Sequence, residues 1–135
     1  MPRPMAALPS GDAHDFDALY GLELVECSEE LVRARVEVRD ELRQAGGLVH
    51  GGVYGAIAEA LATRGTGAAI STQGGVAVGL ANHTNVLHPI SAGGMHATAR
   101  RRHRGRTTWV WEVAISDDAG RVCVAARVTV AVREG

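Results

Sequence analysis

The chain of 135 residues is 46% hydrophobic and 21% charged, the balance of one domain with a modest core. Its formal net charge of −1 excludes a strong overall attraction to nucleic acid or to an anionic membrane surface. No run approaches the about 20 apolar residues of a membrane-spanning helix, and the N-terminus lacks the apolar stretch of a signal peptide. We therefore expect a cytoplasmic protein in which Cys27 and Cys123 are buried free thiols.

The first part of the chain is predicted to form a leader and a hairpin. Residues 1–15 contain three of the four prolines and predict a flexible leader, followed by a single domain at 16–135. A strand is expected at 22–27 and, after the turn SEE, a second strand at 31–38. In the second strand, LVRARVEV, apolar and charged residues alternate, which predicts one buried face.

One helix and four further strands are predicted for the rest of the chain. The helix is expected from Gly51 to Arg64, with Gly65 and Gly67 ending it. The four strands are expected at 76–88, 95–103, 107–116 and 122–132, and the turns HRGR and DDAG join the last three. An antiparallel sheet packed on one apolar helix is the simplest closed arrangement. The sequence thus predicts an α+β hot-dog fold, in which five to six strands wrap around one long central helix.

The predicted helix carries a carboxylate, Glu59, in an unusual setting. On a helical wheel, the face toward the sheet consists of Val53, Ile57, Ala60 and Leu61. The residues around Glu59 on the opposite face are Gly55, Ala56, Ala62 and Thr63. These neighbours are small and include no Lys or Arg, so a ligand or a second helix could approach Glu59 closely. An ordinary solvent-exposed glutamate is the simpler alternative.

The sequence HGG, from His50 to Gly52, immediately precedes and opens the helix. Amide groups in the first turn of a helix lack intrahelical acceptors and lie at the positive end of the macrodipole. Because glycines have no side chain in the way, the amides of Gly51 and Gly52 could polarise a carbonyl oxygen, as an oxyanion hole does. The alternative is that these glycines only allow the chain to turn.

The spacing between Gly51 and Glu59 has a consequence for any shared chemistry. The two residues are eight positions apart, which is about 12 Å along a helix. An oxyanion donor and a carboxylate that act on one carbonyl must both lie within roughly 3 Å of the reacting group. One helix cannot place both groups there, but two helices packed antiparallel can. An enzyme of this kind would be an obligate homodimer with two shared sites.

Three stretches of the chain, LVHGGVYGAIAEALAT, VGLANHTNVLH and HRGRTTWVWEVAISDDAGRVCVAARVTVAV, resemble hot-dog acyl-CoA thioesterases. The resemblance is greatest to the glutamate-type 4-hydroxybenzoyl-CoA thioesterases and phenylacetate-pathway-like enzymes, and to the related enterobactin-pathway and dihydroxynaphthoyl-CoA enzymes. Its most specific part is the pattern Q-x5-HGG-x6-E-x3-T, which consists of Gln44, His50, Gly51, Gly52, Glu59 and Thr63. A second specific part is the ANH of the strand at 76–88.

The resemblance implies a catalytic role for five residues. Glu59 would act as nucleophile or general base on the thioester carbonyl, which the Gly51 amide would polarise. Gln44 and His50 would orient the thioester, and Thr63 would help to place water or substrate. The resemblance also implies a homotetramer built as a dimer of dimers, with no metal or redox cofactor, coenzyme A being part of the substrate.

The remaining candidates lie in the strands after the helix. As a regular strand, ARRRHRGR (99–106) would send Arg100, Arg102 and Arg104 to one face, which could be a solvated face or a CoA-phosphate site. Nucleic-acid binding would call for stacking aromatics or a groove-entering helix. The candidate substrate- and CoA-binding residues are Gly52, His83, Arg102, Arg104, Arg106 and Thr107. The histidines lack metal-ligand spacing, so no metal site is expected, and Trp109 and Trp111 are expected to pack on one face.

The expected function is hydrolysis of acyl-CoA thioesters, including aryl-CoA or acyl-carrier thioesters, to a free acid and CoA. A hot-dog enoyl-CoA hydratase or dehydratase would need a His and a carboxylate facing one substrate, at spacings that this helix does not show. A non-catalytic acyl-CoA-binding protein is an alternative from another class. Sensors of this fold usually carry a DNA-binding segment, for which the chain has no room. The spacing of the residues does not define the acyl group.

Overall fold

The computed structural model describes residues 15–135, so the leader predicted at 1–15 lies outside the described residues except for Asp15. Its two helices are α1 (Phe16–Leu19) and α2 (Gly51–Ile70). Its six strands are β1 (Glu23–Cys27), β2 (Leu31–Glu37), β3 (Gly75–Val86), β4 (Gly94–Arg104), β5 (Thr108–Ser116) and β6 (Val122–Glu134). Short 3-10 turns at Asp40–Leu42 and Ser71–Gln73 flank α2 along the chain.

The six strands form one antiparallel sheet in the order β1-β2-β4-β5-β6-β3. In this order β1 and β3 are the two edge strands, and the sheet curves around α2. Strands β2 and β5 alternate between buried residues that face α2 and more exposed residues on the other face, as the sequence of β2 predicts, whereas the edge strands β1 and β3 are largely exposed. The predicted α+β hot-dog fold, with six strands and one long central helix, is confirmed.

The core lies between the inner face of the sheet and one side of α2. Trp109 and Trp111 project inward from β5, with 2% and 0% of their surfaces exposed, and their rings stack at 6.4 Å. They pack with side chains of α2 such as Ile57 and Leu61, which are fully buried. Burial of each such large apolar side chain contributes about 1.5–3 kcal/mol, so these residues hold α2 against the sheet.

The prediction that Gly65 and Gly67 end the helix is wrong, because α2 continues to Ile70. Gly65 serves packing instead. A Cβ atom on Gly65 would lie 2.4 Å from Cη2 of Trp111 and 2.9 Å from Cγ2 of Val32. The chain reverses only at Gly74, which has a φ of 76° after the 3-10 turn.

We expect Gly65→Ala to destabilise the protein, although alanine is the better helix former by about 1 kcal/mol. Overpacking of a core costs about 1–3 kcal/mol, and Trp111 cannot move easily because its indole N–H donates to the Thr66 hydroxyl at 2.9 Å. The expected net loss is about 1 kcal/mol in the free energy of unfolding, measured by urea denaturation. Gly55→Ala is the matched control, since its Cβ would be 3.9 Å from the nearest atoms. A Gly65→Ala variant as stable as the parent would contradict this account of the packing.

The two cysteines differ in exposure. Cys123 is buried on β6 and Cys27 is exposed at the end of β1, and both are free. The prediction of free thiols is thus confirmed, whereas the prediction that both are buried is wrong for Cys27. The error arises because β1 is an edge strand that is exposed along most of its length.

Candidate active site

His50 caps the N-terminus of α2. Two backbone bonds place it there: the Val49 amide donates to Ile90 O at 2.9 Å and the His50 amide donates to Leu42 O at 2.8 Å. The ring nitrogen Nδ1 of His50 accepts from the Gly52 amide at 2.9 Å. An accepting Nδ1 leaves the ring proton on Nε2, so His50 keeps one N–H donor beside the helix terminus.

The amides of the two glycines are not equivalent. The Gly52 amide is occupied by His50, and a Cβ on Gly52 would lie 3.0 Å from that ring. The Gly51 amide, by contrast, has no acceptor within residues 15–135, and the space around its Cβ position is open. Of the two donors predicted from the sequence, only Gly51 can therefore polarise a carbonyl oxygen, assisted by the positive end of the helix dipole.

Glu59 lies in a cavity of about 580 Å³ along α2, which we call the glutamate cavity. One wall of the cavity is α2. The lining residues on α2 are Gly52, Gly55, Ala56, Ala60, Thr63 and Arg64, and those from the rest of the chain are Asp15, Phe16, Asp17 and Asn82. Glu59 is exposed and has no ion pair within residues 15–135. The predicted small-residue setting is confirmed, except that Ala62 is fully buried in the core while Ala60 lines the cavity.

Two residues of β3, Gly79 and Asn82, lie beside Glu59. The sequence did not single out Gly79, and in the ANH motif the predicted site residue was His83 rather than Asn82. Gly79 approaches so closely that a Cβ there would lie 3.0 Å from Oε2 of Glu59. Asn82 donates to the carbonyl of Gly55 at 2.9 Å and accepts from Thr84 at 2.7 Å, which ties β3 to α2. A glycine inside a strand commonly marks a bulge or a close approach, and the register shifts between Gly79 and Ala81. That signal was available in the sequence.

A second, larger cavity of about 920 Å³ adjoins the glutamate cavity and opens at the N-terminus of α2. We call it the apolar cavity. Its lining combines α1, the segment Arg39–Arg43 and the first turn of α2 around His50 and Val53. Phe16, Gly52 and Ala56 line both cavities, so the two spaces meet beside the candidate oxyanion donor.

Arg64 forms a buried ionic cluster next to Glu59. Only 5% of Arg64 is exposed, and its guanidinium donates to Asp17 at 2.9 Å and lies 3.6 Å from Asp15. Tyr20 donates to the other oxygen of Asp17 at 2.9 Å. Burial, followed by the negative charge of Asp17, raises the pKa of the Tyr20 hydroxyl. No sequence signal distinguishes Arg64 from a surface arginine, because its partners lie 47 residues away.

The structure separates Gln44 from the other catalytic candidates. Gln44 is exposed at a turn. Its backbone N–H donates to Leu48 O at 2.8 Å, and its backbone carbonyl accepts from the Gly47 N–H. It lines neither the glutamate cavity nor the apolar cavity. Thr63, one helical turn after Glu59, does line the glutamate cavity. Within one chain, therefore, Glu59 and Thr63 share a site. His50 and Gly51 lie at the N-terminus of α2, about 12 Å from Glu59 along the helix.

His83 lies on the outer face of the sheet, away from α2. It pairs with Arg127 of β6 and lines a shallow cavity with Glu112 and Arg127. In the ANH motif, the residue that enters the glutamate cavity is therefore Asn82. Arg102 lies on the outer face as well and donates to Glu112 at 2.9 Å. Hydrogen bonds from Arg127 and then Arg102 lower the pKa of the Glu112 carboxyl.

The prediction that Arg102 and Arg104 share a face is wrong. The register of β4 shifts between Arg101 and His103, which turns Arg104 to the inner face. There the Arg104 guanidinium lies 4.8 Å from the Trp109 ring and pairs with Glu29 at 2.8 Å. Arg106 and Thr107 are exposed in the following turn, and no ion pair of Arg106 occurs within residues 15–135. The four residues therefore do not form one cluster.

Two further properties concern residues 15–135. No three side chains of His, Cys, Asp or Glu in this part of the chain are grouped closely enough to hold a metal ion. Its helices also lack the combination of length and hydropathy that is needed to span a bilayer.

Comparisons with known proteins identify the family of the chain. Residues 46–124 match the sequence profile of the Thioesterase superfamily. Rv1847 of Mycobacterium tuberculosis is 38% identical over 123 residues, which cover 90% of this chain and 88% of the relative. Its structure superposes with a TM-score of 0.85, covering 89% of this chain and 97% of that chain. The 1,4-dihydroxy-2-naphthoyl-CoA hydrolase of Listeria monocytogenes is 32% identical over 114 residues, 84% of this chain and 92% of the relative.

A third relative, the thioesterase SAV0944 of Staphylococcus aureus, has been solved with a glutamine replaced by alanine and with a glutamate replaced by alanine. The glutamine variant is 28% identical, with a TM-score of 0.83, and the match covers 86% of this chain and 96% of that chain. The family match, the fold and the relatives agree. The chain therefore belongs to the Thioesterase superfamily and is a thioester hydrolase.

Proposed function

We propose that the protein hydrolyses acyl-CoA thioesters to a free acid and CoA, with Glu59 as the reacting carboxylate. The observation that carries this proposal is that α2 bears both an exposed Glu59, which makes no ion pair with residues 15–135, and a Gly51 amide with open space around it. Each group has the environment that its role requires. Glu59 is accessible to water and substrate, and Gly51 presents a donor at the positive end of a helix.

The active site is proposed to form between two chains. Helix α2 contains both Gly51 and Glu59, so about 12 Å of helix separates them within one chain. An antiparallel α2 from a second copy would bring its Gly51 beside Glu59. The edge strand β3 runs along the same side and exposes Val78 and Leu80, with 45% and 56% of their surfaces accessible. Exposed apolar residues on an unpaired edge favour contact with another copy.

In the proposed mechanism, Glu59 takes a proton from water, and the resulting hydroxide attacks the thioester carbonyl. The Gly51 amide of the other chain stabilises the oxyanion of the tetrahedral intermediate. Collapse of the intermediate breaks the C–S bond, and the protonated Glu59 returns the proton to the CoA thiolate. If Glu59 instead attacks the thioester carbonyl directly, the C–S bond breaks, CoA leaves as the thiolate and an acyl-glutamyl anhydride forms. Water then hydrolyses the anhydride to the free acid and the Glu59 carboxylate. Label found in Glu59 after a single turnover in oxygen-18 water would establish the anhydride route, because general-base catalysis leaves the oxygens of Glu59 unexchanged.

Two relatives support particular parts of this proposal. The Listeria relative is named for hydrolysis of a CoA thioester of an aromatic acid. The two substituted positions of the S. aureus thioesterase are 15 residues apart, which equals the separation of Gln44 and Glu59. We therefore propose that the chain belongs to the glutamate-type, aryl-CoA branch and that Gln44 contributes from the second subunit. We further propose that the protein is a homotetramer built as a dimer of dimers, that it acts in the cytoplasm, and that it needs no metal or redox cofactor.

The proposed CoA-binding residues centre on the exposed turn before β5. Arg106 and Thr107 are exposed in the turn before β5, and the Thr107 carbonyl accepts from the Val132 amide at 2.9 Å, which holds this turn against β6. Arg104 stacks nearby on Trp109. Arg102 and His83 lie on the opposite face of the sheet, so any contribution to CoA binding would involve another subunit.

The test of the proposed function is a panel of purified thioesters, read out as release of free thiol. We expect turnover of acyl-CoA substrates, with KM higher for the matching acyl-pantetheine thioesters, which lack the nucleotide and its phosphates. Equal kcat/KM values for CoA and pantetheine thioesters would exclude recognition of the nucleotide. No thiol release from benzoyl-, phenylacetyl-, acetyl- or decanoyl-CoA would contradict acyl-CoA hydrolysis.

A further inference from the structure

We infer that α1 forms one wall of a pocket for a large apolar acyl group and that Arg64 holds α1 in place. The pocket is the apolar cavity, and the inference rests on the proposed function because the acyl group belongs to the thioester. Its occupant is an aryl or medium-chain acyl group rather than acetyl. Phe16 and Leu19 are then determinants of specificity, and Arg64 and Asp17 are positioning residues.

The position of the apolar cavity leads to this occupant. The cavity meets the glutamate cavity at Gly52 and Ala56, which follow the proposed oxyanion donor Gly51 by one and five residues along α2. A thioester carbonyl held at Gly51 would therefore have open space for its acyl substituent in the direction of Val53 and Leu42. A volume of about 920 Å³ lies within the range of pockets that bind small organic ligands, and it greatly exceeds the need of an acetyl group.

The α1 side of the cavity favours an apolar ligand, whereas the charged residues Arg39, Glu41 and Arg43 line another part of it. Phe16 and Leu19 line the cavity, yet 65% and 70% of their surfaces are exposed. Phe16 packs edge-on against Tyr20 with ring centroids 5.3 Å apart, which gives one side of the cavity an aromatic surface. An acyl group placed between α1 and α2 would remove this apolar surface from water. That gain increases with the size of the acyl group.

α1 is too short to be stable by itself. It has four residues, whereas isolated helices below about 12 residues are marginal in water. Its position depends on Asp15, whose side chain caps the helix by accepting from the Asp17 amide, and on the bond from Arg64 to Asp17. Tyr20 adds a bond from its hydroxyl to Asp17 and lies 3.4 Å from the Ala56 carbonyl. The ionic cluster thus joins α1 to the catalytic helix.

The test measures binding of non-hydrolysable thioether analogues of acetyl-, phenylacetyl- and decanoyl-CoA by calorimetry, so that it does not depend on turnover. Phe16→Ala and Leu19→Ala should each raise the Kd of the two larger analogues about tenfold and leave the acetyl analogue within about twofold. Comparing phenylacetyl with decanoyl identifies which apolar group the pocket prefers. Val25→Ala is the matched control, because Val25 is 63% exposed but lies outside both cavities.

Asp17→Asn tests the positioning role. We expect it to raise the Kd of the larger analogues about fivefold, again without changing acetyl binding, because the weaker bond to Arg64 leaves α1 less ordered. A general loss of stability would weaken all three analogues alike. A thermal unfolding curve of each variant verifies that the protein is folded at the temperature of the binding experiment.

The outcomes separate this inference from the proposed function. If the parent binds all three analogues equally, or if the Phe16 and Leu19 variants weaken them equally, the pocket assignment is wrong even when the enzyme hydrolyses acyl-CoA. If the larger analogues bind with the expected pattern but no thioester in the panel is hydrolysed, the pocket is supported and the proposed reaction is contradicted.

Discussion

Replacing Glu59 by glutamine is expected to lower kcat for acyl-CoA hydrolysis by about 10²–10⁴-fold. Glutamine keeps the size of the side chain and its place beside Gly79, but it cannot take a proton from water or attack a carbonyl. The KM should change little, since the side chain is small compared with the acyl and CoA parts of the substrate. Steady-state kinetics with the best thioester of the panel measures both constants.

The fold should tolerate this substitution. Glu59 is exposed and makes no ion pair within residues 15–135, so the free energy of unfolding is expected to change by less than about 0.5 kcal/mol. Glu23→Gln is the matched control, because Glu23 is an exposed carboxylate at the distant edge strand β1. A Glu59→Gln enzyme that retains more than about a tenth of the parent's kcat would remove Glu59 from the reaction.

Replacing Gly51 by proline should remove the oxyanion donor while preserving the helix. Gly51 is the first residue of α2, where proline is well tolerated because this amide has no intrahelical acceptor. His50 already has the extended conformation that a residue before proline prefers, with φ −62° and ψ 133°. Loss of one such donor is expected to lower kcat by about 10²–10³-fold.

Gly51→Ala separates the amide from the side chain. Alanine keeps the N–H group, and its Cβ would meet no atom within 4 Å in one chain, so we expect most of the activity to remain. If Gly51→Ala loses as much activity as Gly51→Pro, the loss arises from packing at this position and the oxyanion assignment is wrong.

Mixing the two inactive variants tests whether sites are shared. In a dimer of one Glu59→Gln chain and one Gly51→Pro chain, one site receives both substitutions and the other receives neither. Random reassembly after co-refolding should therefore recover about a quarter of the parent activity, because half of the dimers are mixed. Sites contained within single chains would give no recovery.

The sequence pattern predicted which helix and strands pack together better than it predicted where each element ends. Alternation in β2 and the turns around Gly105 and Gly120 located the strands, because one face of each is buried. The end of α2 was predicted too early because glycine commonly ends helices, and the sequence does not show when a glycine lies inside a helix for packing reasons. Gly65 could have ended the helix, and only the ring of Trp111, 46 residues later, explains why it lies inside the helix.

The site was predictable where its residues are local and not where they are distant. Glu59 and Gly51 lie on one helix, so their spacing alone shows that one chain cannot bring them together, and the site shared between two chains stays a prediction. Arg64 depends on Asp17, and Asn82 depends on Gly55, so neither could be selected from local spacing. The outer position of His83 and the inner position of Arg104 follow from register shifts in β3 and β4. A shift of one residue reverses the face of every later side chain.

The location of α1 along the chain has an evolutionary consequence. The stretch that matches the superfamily begins at residue 46, whereas Phe16, Leu19 and the segment Arg39–Arg43 precede it. Substitutions upstream can therefore reshape the wall of the apolar cavity without altering the helix that carries Glu59. The acyl preference of the proposed pocket can therefore change through α1 and the segment Arg39–Arg43, while the reacting groups on α2 stay the same.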